Sequence, residues 1–126
     1  MSLRHTVSRL SFAVCLWTAA GCSTPSADEH IVRADAFKQR GLLQEAVIEY
    51  RSAIRLAPQR GDARMKLADV YLETRDSGAA LREYVRAADL MPENPTVQIQ
   101  AGSLLLLAGA FEDAQTRAAR SRRLPA

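Results

Sequence analysis

Written in rows of 34 residues from Ala27, the chain lines up with itself. Ala34, Ala68 and Gly102 share a column, as do Phe37, Tyr71 and Leu105. Ala46, Ala80 and Ala114 share another, followed by Tyr50, Tyr84 and Ala118, and then by Ala53, Ala87 and Ser121. Pro58 and Pro92 close the first two rows. A fixed period of this length is the signature of one supersecondary unit used repeatedly. Such units bury their apolar faces only against one another, and about three are needed for stability.

Each row reads as two helices. Around Asp28–Arg40, Ile31, Ala34, Phe37 and Leu42 recur near helical spacing, and Gly41 offers a stop. Over Gln44–Ala57, Ala46, Val47, Tyr50, Ala53, Ile54 and Ala57 form a stripe at spacings of three and four. Pro58 ends it, because proline cannot continue the backbone ladder. The second row repeats the pattern with Leu67, Ala68, Tyr71 and Leu72, then Ala80, Leu81, Tyr84, Ala87, Ala88 and Met91 before Pro92. No β alternation of useful length occurs. The fold class is therefore all-α, an α-solenoid of helix-turn-helix repeats over about 27–60, 61–94 and 95–126. Small residues in register let paired helices approach closely, and Ala34, Phe37, Ala46, Tyr50, Pro58, Ala68, Tyr71, Ala80, Tyr84, Pro92, Gly102 and Ala114 read as the repeat-packing residues.

These columns resemble the tetratricopeptide repeat, whose pattern is W-x2-L-G-x2-Y, then A-x3-F, then P. The second row carries it as Arg64-x2-Leu67-Ala68-x2-Tyr71, Ala80-x3-Tyr84 and Pro92, and the first as His30-x2-Arg33-Ala34-x2-Phe37, Ala46-x3-Tyr50 and Pro58. The third keeps Gly102 and Ala114 but has Leu105 and Ala118 for the two aromatics. The resemblance implies a concave groove, lined by successive first helices, that grips a peptide or a partner helix. By column it would present Ile31, Asp35 and Lys38, then Met65, Asp69 and Leu72, then Ile99, Ser103 and Leu106. A family variant clamps a C-terminal carboxylate with Lys and Asn in these columns. Asp35 and Asp69 stand there instead and would repel it, so a partner with basic and aliphatic residues is expected.

The first 22 residues read as an address. Met1–Arg9 holds Arg4 and Arg9 and no acid, and LSFAVCLWTAA follows without a charge. This is the order of a secretory signal, and the run is too short to span a membrane. Ala19-Ala20-Gly21-Cys22 resembles a bacterial lipobox, with Ala19 where Leu is commonest. That resemblance implies removal of residues 1–21, acyl chains on Cys22, a tether over 22–27 and, with Ser23 next, the periplasmic face of the outer membrane. Cleavage after Ala20 or Gly21, giving a soluble periplasmic or secreted protein, is the rival reading. Cys15 would leave with the leader, so no disulfide is expected.

The formal charge of +3, from 17 basic and 14 acidic residues, is carried at the ends. Arg4 and Arg9 belong to the leader, while Arg117, Arg120, Arg122 and Arg123 form a basic terminus, read as a solvated helix end rather than a nucleic-acid site. His30 is the only histidine beyond the leader, and no metal-ligand spacing or phosphate loop occurs. No catalytic residue, metal, cofactor or small-molecule substrate is expected. Leu104–Leu107 makes the last first helix apolar on nearly every side, which predicts burial all round. A longer array, self-association at this repeat, or a self-capping second helix would each answer it. Two functions remain: a tethered scaffold recruiting protein partners in a pilus, cell-wall or exopolysaccharide/exosortase-type assembly, or a structural segment of a larger machine without a groove ligand.

Overall fold

The computed structural model describes residues 24–122. The leader and Cys22 lie outside them. Six helices follow in order: α1 Ala27–Gln39, α2 Leu43–Leu56, α3 Gly61–Glu73, α4 Ser77–Leu90, α5 Pro95–Leu107 and α6 Phe111–Ser121. Among the described residues there is no strand. First helices start at Ala27, Gly61 and Pro95, and second helices at Leu43, Ser77 and Phe111, each 34 residues after the one before. Each first helix packs on its own second helix, and each second helix on the next first helix.

Local chemistry sets the boundaries. Ser26 caps α1 through the Glu29 amide while Glu29 reaches back to the Ser26 amide, which satisfies two amides that the helix leaves open. Asp76 caps α4 and Asn94 caps α5, where Pro95 occupies the first turn. The turn inside every hairpin needs one left-handed residue. Gly41 (φ 74°), Arg75 (φ 62°) and Gly109 (φ 81°) occupy it, again one period apart. The amides of Leu42, Asp76 and Ala110 then reach back to the carbonyls of Phe37, Tyr71 and Leu105 at 2.9, 2.8 and 2.8 Å.

The core follows the columns of the period. Ala34, Ala46, Ala53, Ala68, Ala80 and Ala87 are wholly buried, Gly102 and Ala114 are buried, and so are Tyr50, Tyr71 and Tyr84, with Phe37 half-buried against the same cluster. Pro58 and Pro92 are exposed. Their part is to stop α2 and α4, not to pack, which corrects their place among the packing residues. The expectation for α5 also needs correction. Leu105 is buried at 7%, but Leu106 is 52% and Leu107 84% exposed, because no described helix lies over them.

Arg75 is the one non-glycine in the left-handed turn column. A side chain there costs roughly 1–2 kcal/mol, partly offset by the chain entropy that glycine loses on folding. Arg75→Gly is expected to stabilise the fold by about 0.5–1 kcal/mol, read as a melting temperature raised by a few degrees. An unchanged or lowered melting point would show that the turn carries no strain.

Candidate functional site

Three polar clasps close the hairpins at equal spacing. His30 Nδ1 meets Glu49 at 2.6 Å, Arg64 donates to Glu83 at 2.9 Å, and Arg117 donates to Gln98 at 3.4 Å, each pair 19 residues apart. They occupy the column where the repeat pattern places tryptophan. In the third hairpin the donor has moved to the second helix. Gln98, 1% exposed, also donates to the Ala88 carbonyl at 2.7 Å, and Arg117 reaches Asp89 of the preceding repeat at 2.9 Å. Arg117 is thus buried and paired, not part of a solvated basic end. Sequence reasoning missed these pairs, although opposite charges at a fixed spacing in the first two rows were the available signal.

The columns assigned to the groove separate into two sets. Ile31 is only 6% exposed and belongs to the core, so it lines no groove. Asp35 accepts from the Tyr50 hydroxyl at 2.5 Å and from Lys66 of α3 at 2.5 Å. Lys38 pairs with Glu73 of α3 at 3.1 Å. Met65 is half-buried against the core, and Asp69 accepts from the Tyr84 hydroxyl. Arg60 holds Asp28 at 2.5 Å and Asp62 at 2.7 Å. The acids expected to meet a basic partner are therefore already engaged within the molecule, which corrects that expectation. Of the residues assigned to the groove, those left exposed are apolar or neutral: Leu72 (36%), Ile99 (58%) and Leu106 (52%), with Ser103 between the last two.

The electrostatics follow from these contacts. Burial pushes the Asp35 carboxyl up, but hydrogen bonds from Lys66 and Tyr50 and the charge of Lys66 outweigh it and hold the group below its ordinary 3.8. The Arg60 bond does the same for Asp62 against its burial. Burial first, then the facing carboxylate, raises the Tyr50 and Tyr84 hydroxyls well above their ordinary 10.0. No group of three or more metal-ligating side chains gathers among the described residues.

No protein-family model and no curated protein matches the sequence. Solved structures match its shape. The crystal structure of MamA superposes with a TM-score of 0.69 at 21% identity, covering 79% of this chain and 58% of that one. The second TPR of Spaghetti (RPAP3), bound to the HSP90 peptide SRMEEVD, gives 0.68 at 17% identity, covering 79% and 93%. The CopN–Scc3 complex gives 0.66 at 14%, covering 75% and 56%. The likeness establishes the fold as an all-α repeat solenoid of the tetratricopeptide type. The chain spans less than two thirds of the MamA and CopN–Scc3 chains it resembles.

Asp35 binds fewer protons folded than unfolded, so its stabilisation holds above about pH 4 and fades below it. Tyr50 and Tyr84 hold their protons more tightly when folded, so their stabilisation holds below about pH 10 and fades above it. Denaturant midpoints should therefore plateau between these limits and fall on both sides. Tyr50→Phe with Tyr84→Phe should cost about 1–2 kcal/mol per site and flatten the alkaline limb; an alkaline limb as steep as before would show that the hydroxyls do not carry it. Arg117→Ala should cost about 2–3 kcal/mol by denaturant unfolding, since it leaves the buried Gln98 carbonyl unpaired. A loss within about 0.5 kcal/mol, the size of an ordinary surface change, would return Arg117 to the solvated set.

Proposed function

We propose that the protein is a non-enzymatic repeat scaffold, tethered to a bacterial envelope membrane through Cys22, that recruits protein partners to an envelope assembly. The observation that carries the reading is the row of exposed aliphatic side chains on successive first helices. Leu72 on α3 and Leu106 on α5 share one column, and Ile99 lies two turns before Leu106. Water-exposed aliphatic surface gains about 25 cal/mol per Å2 on being covered, and contiguous patches of it mark interaction sites. The charges beside it are compensated internally by Lys38–Glu73 and Lys66–Asp35, so they neither attract nor repel a partner strongly. The favoured ligand is an apolar-faced helix or extended segment of a protein. The fold likeness to a TPR that holds a peptide supports this mode. The envelope address rests on the basic start, the uncharged run Leu10–Ala20 and the lipobox-like Ala19–Cys22. No described helix is long and apolar enough to cross a membrane, and the anchor proposed here is an acyl one. Two chains on one cysteine suffice for stable attachment. The outer membrane, reached through Ser23, is the preferred destination, and a pilus, cell-wall or exopolysaccharide/exosortase-type system the preferred setting.

The two halves of the proposal are tested separately. A photo-crosslinking residue at Leu72, in the full chain in cells, should trap a discrete protein that Leu72→Asp releases. Equal trapping from the exposed turn residue Gln59 would overturn the apolar docking row. Labelled palmitate should enter the wild type and not Cys22→Ser, and undiminished labelling of that variant would overturn the anchor.

A further inference from the structure

The period lets the molecule report what covers each of its own surfaces. On α1, the column of Ile31, Asp35 and Lys38 lies against α3: Ile31 is buried, Asp35 bonds Lys66, and Lys38 bonds Glu73. One period on, Met65 is half-buried and Leu72 is 36% exposed. Two periods on, the same column reads Ile99, Ser103 and Leu106, all exposed, with no described helix over them. Beside it, Leu106, Glu112, Ala114, Gln115 and Ala118 line a hollow between α5 and α6. Ala118 stands in that hollow where the period has Tyr50 and Tyr84. This end face is a surface the molecule elsewhere covers with a helix.

The N-terminal end of a second array is a poor cover. Helices α3 and α5 meet the preceding repeat with Ala63 and Val97, and with Leu67 and Ala101, all of them buried. The same columns of α1 hold Glu29 and Arg33, both exposed. Stacking α1 onto α6, as α3 stacks on α2 and α5 on α4, would bury Glu29, which holds the Ser26 amide, and Arg33, which lies 3.9 Å from Glu49, in columns that are apolar in α3 and α5. Taking those charges out of water makes head-to-tail growth unfavourable.

The outward face of α6 is self-complementary instead. It runs Glu112, Gln115 and Ala118 at helical spacing, with Arg122 one residue past the helix end, where its amide and Nε donate to the Ala118 carbonyl; all four are exposed. Acid and base stand at opposite ends, about 15 Å apart along the axis, with a small residue between them. A two-fold axis near Ala118 would lay α6 antiparallel on its copy, each Glu112 against the other chain's Arg122. The alanines would permit close approach there, and Leu106 and Ile99 would be covered on the flank. An isologous interface demands this kind of self-matching surface.

We infer that the α5–α6 end face is a homodimer interface in which two copies meet end to end through antiparallel α6 helices. This stands apart from partner recruitment at Leu72. Residues 23–126 contain all six helices of the described fold and serve for the test. Analytical ultracentrifugation should give twice the monomer mass, with dimerisation weakened at least tenfold by Leu106→Asp. Glu112→Arg and Arg122→Glu should each yield monomers, since each sets like charges together twice. Mixing the two variants should restore a dimer of one copy of each, because both contacts then pair opposite charges. Both positions are exposed, so circular dichroism should show unchanged helicity. A wild-type monomer at all concentrations, or a mixture no more associated than its separate variants, would overturn the proposal. Oligomers that grow without limit would overturn it too, because they need the head-to-tail contact.

Discussion

Everything in this fold depends on how closely two helices can lie. Interaxial distance is set by the side chains at the crossing, and it is shortest where those are methyl groups. Ala34, Ala46 and Ala53 in the first hairpin, and Ala68, Ala80 and Ala87 in the second, have no exposed surface at all. Only at that separation can a Tyr50 hydroxyl reach Asp35 across the hairpin, or Glu49 reach His30. The left-handed turns at Gly41, Arg75 and Gly109 belong to the same constraint, since a chain joining two close antiparallel helices must reverse within a few residues.

Given that closeness, the polar contacts act as alignment rather than as bulk stabilisation. A tyrosine buried whole must find a partner for its hydroxyl, and a half-buried carboxylate must find donors. Tyr50–Asp35 and Tyr84–Asp69 answer both demands at once and fix how far each second helix can slide along the first. Lys66 then ties the first hairpin to the second through the same Asp35. The third hairpin has Ser103 and Ala118 in those columns and cannot form the pair. Its alignment passes to Arg117, which bridges Gln98 in its own hairpin and Asp89 in the one before. One buried guanidinium there stands in for a hydroxyl–carboxylate pair, and its planar donor set is what allows two partners.

Much of this was legible in the chain itself. The alanine, tyrosine and proline columns placed the two helices of the first hairpin within a residue of α1 and α2, because close packing leaves few residues able to occupy those sites. The charged side chains were not legible to the same degree. Periodicity says which face a residue occupies but not whether a neighbour already satisfies it. The columns of Asp35, Asp69 and Lys38 point to a partner groove and the basic run points Arg117 to solvent, yet each is engaged within the molecule. The leucine run misled in the opposite direction. Its composition demands burial, while burial needs a covering element, and for Leu106 and Leu107 none is described.

The same reasoning explains why groove residues do not carry over by column from one repeat to the next. In a stack, the face a first helix turns toward its successor is covered to a greater degree in a unit that has a successor. Ile31 illustrates this at 6% exposure, and Ile99, chemically identical and in the same column, stands at 58%. Nothing in either residue's own sequence context distinguishes them. What distinguishes them is the neighbour, α3 in one case and no described helix in the other. A column therefore specifies a contact, and whether that contact is made within the chain or with another molecule is decided by position in the array. Binding capacity in such a fold concentrates where a repeated contact is left open, which is why the last hairpin, the least regular of the three in sequence, carries the most exposed aliphatic surface on its first helix.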